Sequence, residues 1–203
     1  AVRARVFEIC GFPPPSSGAI AIGQILGLLQ YAPNALKAPV QGELNADWLH
    51  DYAQASRLAF ADRAQYVADP DFVEAPAGNW RSLLDPAYLK LRAQLMGPTS
   101  LKQTPAGIPL RAQKSVYAPM PDQAEFGTSH ISIADAYGNA LAMTTTIENA
   151  FGARQMVYGF LLNNELTDFS FVPQDSQGRL VANRVQANKR PRSSMSPTLV
   201  FDK

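Results

Sequence analysis

Residues 128–148 carry the strongest local folding instruction in this sequence. Ile131 and Ile133 alternate with small or polar residues, as in a half-buried strand. Asp135 to Asn139 then supplies turn chemistry, with Gly138 able to take positive φ. A hairpin folded about Tyr137 sets Ile131 against Met143 and Ile133 against Leu141. Side chains alternate along a strand with a period of two. The same register therefore sets Thr128 opposite Thr146 and gathers His130, Ser132 and Thr144 on their face. The Gly127-Thr128 step opens this segment, and a threonine whose own α-amine is free can be both nucleophile and base. Threonine also suits ordinary pleated surfaces, and on pattern alone both threonines read first as plain strand residues.

The remaining pattern places helices before strands. Ala1 to Ile9 reads as a strand, broken by Pro13-Pro14-Pro15. Ser16 or Ser17 then caps a helix through Ile20, Ile25, Leu28 and Leu29, where Gly18 and Gly23 suggest close packing. Asn45 or Asp47 caps a second helix, apolar at helical spacing from Trp48 to about Tyr66. Asp85-Pro86 opens a third, running to Leu95. From Gly97 to Gly127 no period survives among five prolines, and so long an irregular stretch is expected to be functional or flexible. Phe160 to Asn164 reads as a short buried strand, 171–187 as a surface loop, and Thr198-Leu199-Val200 as a last strand. This order favours an α+β class over regular βαβ alternation.

Composition narrows function mainly by exclusion. A net charge of +1 over 203 residues gives no case for nucleic acid. The basic cluster Lys189-Arg190-Pro191-Arg192 lacks aromatic interleaving and reads as a solvated or salt-bridged turn. Apolar runs are too short and interrupted for a membrane span. The single cysteine, Cys10, reads as a small buried residue near the end of the first strand. No pattern calls for a metal or cofactor.

Several segments together resemble the gamma-glutamyltranspeptidase (glutathione hydrolase) family, in a divergent bacterial branch. They are Pro13-Pro-Pro-Ser-Ser-Gly18, Thr128-Ser-His130, Asp135 with Gly138-Asn139, Phe151-Gly152, Leu161-Leu-Asn-Asn-Glu-Leu-Thr-Asp-Phe-Ser170 and Lys189-Arg-Pro-Arg-Ser-Ser-Met-Ser-Pro197. The resemblance spans nearly the whole chain, in the family's order, and corresponds to the middle of a family precursor. It implies an N-terminal-nucleophile hydrolase, an αββα sandwich of which this chain is a partial domain. The precursor would cut itself at Gly127–Thr128. Residues 1–127 would be the C-terminal part of the large-subunit region, with the proline-rich stretch as its loose tail. Residues 128–203 would be the N-terminal part of the small-subunit region.

The resemblance also implies residue roles. Thr128 is the nucleophile and Thr146 the threonine that hydrogen-bonds it. Glu165 and Asp168 hold a substrate ammonium, and Ser193 and Ser194 bind its α-carboxylate. Glu148 stands at a substrate-contact position where better-known members carry asparagine. His130 fits the motif but reads as a strand histidine satisfied by its neighbours. The donor would be a small γ-glutamyl or related acyl compound such as glutathione, with water or an amine as acceptor. The family's carboxylate-gripping arginine would precede residue 1 and its oxyanion glycine pair would follow residue 203, so this stretch alone is expected to be a poor catalyst. Two alternatives stand beside this one: a glutaryl-type (cephalosporin) amide acylase, and a non-catalytic, unprocessed member.

Overall fold

The computed structural model describes residues 2–4, 6–34, 43, 45–124 and 127–202. Ala1 and Arg5 of the expected first strand, and residues 125 and 126 of the proline-rich stretch, lie outside the described residues. Three helices form the core: α1 (Gly18–Leu29), α2 (Ala46–Tyr66) and α3 (Pro86–Ala93). Two of the three starts follow from their caps. The Asn45 side chain accepts from Asp47 N, and the Asp85 side chain accepts from Ala87 N and Tyr88 N with Pro86 beside it. The α1 start differs, because Ser17 stands at the cap position without capping. Its hydroxyl donates instead to Ser193 O at 2.8 Å and accepts from Arg63 Nε at 2.8 Å.

Leu28, Leu58, Leu83 and Tyr88 bring the three helices together in one apolar cluster. Gly27 permits the close approach of α3, since a Cβ there would lie 2.4 Å from Leu89 Cδ1. Asp62 is buried in this cluster and fully used. It accepts from Gln24 Nε2, Tyr88 Oη, Arg92 Nη2 and Gly107 N, at 2.6–3.1 Å. Burial, and then the Asp62 charge, pushes the Tyr66 hydroxyl up to about 12 and raises that of Tyr88 as well.

Among its described residues the proline-rich stretch has no helix or strand, yet in the continuous chain these residues are tied down. Gly107 accepts from Tyr66 Oη and donates to Asp62, Pro105 O accepts from Arg92, Ala118 N donates to Leu180 O, and Met120 N donates to Ala64 O. Ala118 and Met120 are buried.

Three small sheets are present among the described residues. The expected first strand is two, β1 (Val2–Ala4) and β2 (Phe7–Cys10), paired antiparallel with Val2 opposite Ile9. Its sequence lacks the Gly, Asn, Asp or Pro that would mark the reversal. Cys10 at the end of β2 is only partly buried. The last strand, β7 (Leu199–Asp202), pairs with β2. The hairpin β3 (Ser129–Ala134) and β4 (Ala140–Thr145) has the expected register, with Ile131 opposite Met143 and Ile133 opposite Leu141. Its apolar face is nevertheless exposed among the described residues, and the less exposed positions of β4 are Ala142 and Thr144. The strands β5 (Met156–Val157) and β6 (Phe160–Leu161) form a short hairpin, so the expected buried strand at 160 is largely exposed. The loop at 171–187 is also not wholly superficial, since Val181, Ala182 and Asn183 are buried.

The basic cluster is a salt-bridged turn. Arg190 pairs with Asp69 at 2.6 Å and Asp71 at 2.7 Å, and the Arg190 bonds to Asp69 hold that carboxyl down at about 2. Lys189 is buried, and that burial pulls its ammonium down to about 8.

Candidate active site

Thr128, Thr146, Glu148, Glu165, Asp168, Ser193, Ser194 and Met195 line one small recess of about 30 Å³. Four separate stretches of sequence therefore converge on it. Thr128 stands one residue before β3 and Thr146 one residue after β4, where the Ser129–Thr145 pair extends to them. The Thr146 hydroxyl donates to the carbonyl of Gly127 at 3.1 Å and accepts from Glu148 N at 2.8 Å. That second bond is a threonine turn that ends the strand pairing. A chain that leaves the strand this way can aim the next carboxylate inward, and Glu148 does so at φ 72°. Such a conformation is uncommon for a residue with a Cβ.

Glu148 is buried and held by Asn164, whose Nδ2 donates to Glu148 Oε2 at 2.7 Å. Asn164 also accepts from Asn149 N through Oδ1 at 2.9 Å and donates its own N–H to Ile147 O at 3.2 Å. It thereby locks the 163–168 segment against the end of the hairpin. The loop between returns sharply enough to allow this because of Gly152. Gly152 has φ 50°, and a Cβ there would meet Leu162 O at 2.0 Å.

Glu165 and Asp168 sit on one 3₁₀ turn, Glu165–Asp168. Burial, then the charges of Asp168 and Glu148, pushes the Glu165 carboxyl up to about 7. Its Oε1 is buried without a hydrogen-bond partner. Three carboxylates lining one recess, one of them with an unused oxygen, have the chemistry to accept from a compact cation bearing N–H donors. Among the described residues, no group of His, Cys, Asp and Glu is arranged to hold a metal ion.

Ser193 and Ser194 reach the recess because the Pro13–Gly18 stretch pins them. Ser16 and Ser193 form a parallel bridge, Ser17 N donates to Ser193 O at 2.9 Å, Ser193 N donates to Pro15 O at 3.1 Å, and Ser16 Oγ donates to Met195 O at 2.8 Å. Gly18 lets the strands of this contact meet, since a Cβ there would lie 2.5 Å from Ser196 Cβ. Behind Ser194 stands Arg63 of α2, buried, with Nη2 donating to Ser194 Oγ and Nε to Ser17.

The seven residues given catalytic or substrate-binding roles from the sequence thus line one recess. His130 stands apart, on the exposed hairpin with Nδ1 2.8 Å from Thr144 Oγ1. Asn164 and Arg63 were not singled out. Asn164 lies inside the motif 161–170, but nothing local distinguishes its side chain from Asn163. Arg63 reads as a polar position on an amphipathic helix, and only the packing of α2 under residue 194 shows its use.

The chain matches the gamma-glutamyltranspeptidase family model over residues 1–203. It is 41% identical, over 96% of its length and 32% of the relative's, to the glutathione hydrolase proenzyme of Bacillus subtilis (strain 168). It is 35% identical, over 96% of its length and 31% of the relative's, to the acylase ACY 1 proenzyme of Pseudomonas sp. (strain V22). The chain therefore spans about a third of the length of these curated relatives. Its fold is that of the cephalosporin acylase from Bacillus halodurans, with a TM-score of 0.67 at 19% identity over 99% of this chain and 31% of that one. The class is α+β, of the N-terminal-nucleophile hydrolase type, and the chain belongs to the gamma-glutamyltranspeptidase family.

Proposed function

We propose that the whole protein is a self-processing γ-glutamyl hydrolase and transferase whose nucleophile is Thr128. One observation carries this: the Thr146 hydroxyl bonds the carbonyl immediately before Thr128, in a recess lined by the other predicted residues. In the first reaction Thr128 Oγ loses its proton and attacks the Gly127 carbonyl carbon. The developing oxyanion takes the Thr146 hydrogen bond, an arrangement that favours charge forming at that oxygen. The Gly127–Thr128 C–N bond breaks, and the departing nitrogen takes a proton to become an α-amine. Water then hydrolyses the Gly127–Thr128 ester, leaving residues up to 127 in the large-subunit region and from 128 in the small-subunit region.

The freed amine has an ordinary pKa of roughly 7.7–8.0 and can serve as base at neutral pH. It accepts the Thr128 Oγ proton as that oxygen attacks the donor's γ-amide carbon. The same proton passes to the leaving amine as the C–N bond breaks. Water attacking the acyl-enzyme gives hydrolysis, and an amine gives transfer. Glu148, Glu165 and Asp168 face the donor's α-ammonium, while Ser193 and Ser194 face its α-carboxylate.

The acidic set favours an ammonium-bearing donor over a glutaryl one, which has no cation to offer Glu165. Thr128→Ala in the full-length protein should abolish both cleavage at 127–128 and turnover of a chromogenic γ-glutamyl anilide. Normal processing in that variant would exclude Thr128 as nucleophile. Faster turnover of the glutaryl anilide by the wild type would favour the acylase reading.

A further inference from the structure

Gln123 lies four residues before Gly127 in the strap that leads to the candidate cleavage bond. Its side-chain amide makes three hydrogen bonds to one backbone segment. Nε2 donates to Thr167 O at 2.9 Å and Phe169 O at 3.0 Å, and Oε1 accepts from Phe171 N at 3.3 Å. An amide that satisfies two carbonyls and one N–H imitates a passing strand, and glutamine alone among side chains of its length offers both halves.

The surroundings make this contact decisive for where the strap lies. Among the described residues, Met120 is the last buried one before the bond, and from 121 to 128 Gln123 alone is not exposed. Pro121, Asp122 and Gln123 border a trough of about 950 Å³ against α2 rather than a packed surface. The segment that Gln123 grips, 167–171, begins in the turn that carries Glu165 and Asp168. The strap is thus held at Gln123 on one side and at the Gly127 carbonyl by Thr146 on the other.

We propose that Gln123 is a latch, a positioning residue that fixes the Gly127 carbonyl against Thr146 and Thr128 before the chain is cut. It rests on the self-processing reading. After cleavage the strap loses its covalent hold at Gly127, and the latch has no further task in turnover.

The test compares full-length wild type with Gln123→Ala and Gln123→Glu, following cleavage by intact mass and then assaying protein matured by prolonged incubation. Both variants should cleave at least tenfold more slowly. Gln123→Glu should be no faster than Gln123→Ala, because a carboxylate cannot donate to the two carbonyls. The matured variants should keep kcat and KM for a γ-glutamyl anilide within twofold of wild type. Wild-type cleavage rates in both variants would overturn the latch and leave the self-processing reading standing, as would an equal loss of cleavage and of matured kcat/KM. A wild type that is never cut at 127–128 would overturn both.

Discussion

Glu165 is the residue through which pH acts most directly on this site. Its carboxyl is raised from the ordinary range to about 7, first by burial and then by Asp168 and Glu148. The neutral form therefore favours the fold. That contribution is full below the unfolded carboxylate range and is lost as pH rises through about 7. A bound ammonium reverses the preference, because it needs the charged form. Glu165→Gln should flatten the change in melting temperature between pH 5 and pH 8, and should raise the KM for an ammonium-bearing donor about tenfold, as loss of a charge-assisted hydrogen bond does. Thermal melts at the two pH values together with steady-state kinetics check both halves. Arg63 makes a different prediction. Arg63→Lys keeps the charge but cannot serve Ser17 and Ser194 together, so KM should rise about tenfold with kcat nearly unchanged. A fall in kcat at constant KM would remove Arg63 from donor binding. The site's hydroxyls and acids were legible because they fall in compact motifs. Arg63, Asn164 and Gln123 were not, because each acts on a residue distant in sequence or through backbone atoms that carry no sequence signature.

At the scale of elements, the readable starts were those with a local cap. Asn45 and Asp85 bond the first N–H groups of their own helices, and the Asp135–Asn139 turn sets the β3–β4 register through Asp135 Oδ1, which accepts from Tyr137 N and Asn139 N at 2.9 Å. The β1–β2 reversal was unreadable for the opposite reason, having no turn residue. Ser17 misled in part because a distant partner, Ser193, claimed its hydroxyl. The same kind of distant demand makes Asp62 the residue on which the helices depend. It joins Gln24, Tyr88 and Arg92 to the strap at Gly107. Asp62→Asn leaves the buried Arg92 guanidinium without its counter-charge and should cost about 3 kcal/mol. Urea denaturation of the full-length protein checks this, and a change below about 0.5 kcal/mol, the scale of a surface substitution, would contradict it.

Across the whole molecule, the helical part anchors and, on the proposed reading, the strand part reacts. The helices fasten the strap at 105–107 and 120, the 180–181 loop fastens it at 118, and the Pro13–Gly18 stretch docks Ser193 and Ser194 beside the hairpin. The α+β order was legible from the succession of periods, but the exposure of Ile131 and Ile133 was not, because a strand pattern says which face is apolar and not what covers it. On the proposed reading this geometry first breaks one peptide bond, Gly127–Thr128. The most direct measurement is the intact mass of the purified full-length protein under denaturing conditions. The account predicts two chains whose masses sum to the precursor plus one water, the smaller beginning Thr128-Ser129-His130. A single uncut chain, or a cut at any other bond, would contradict it.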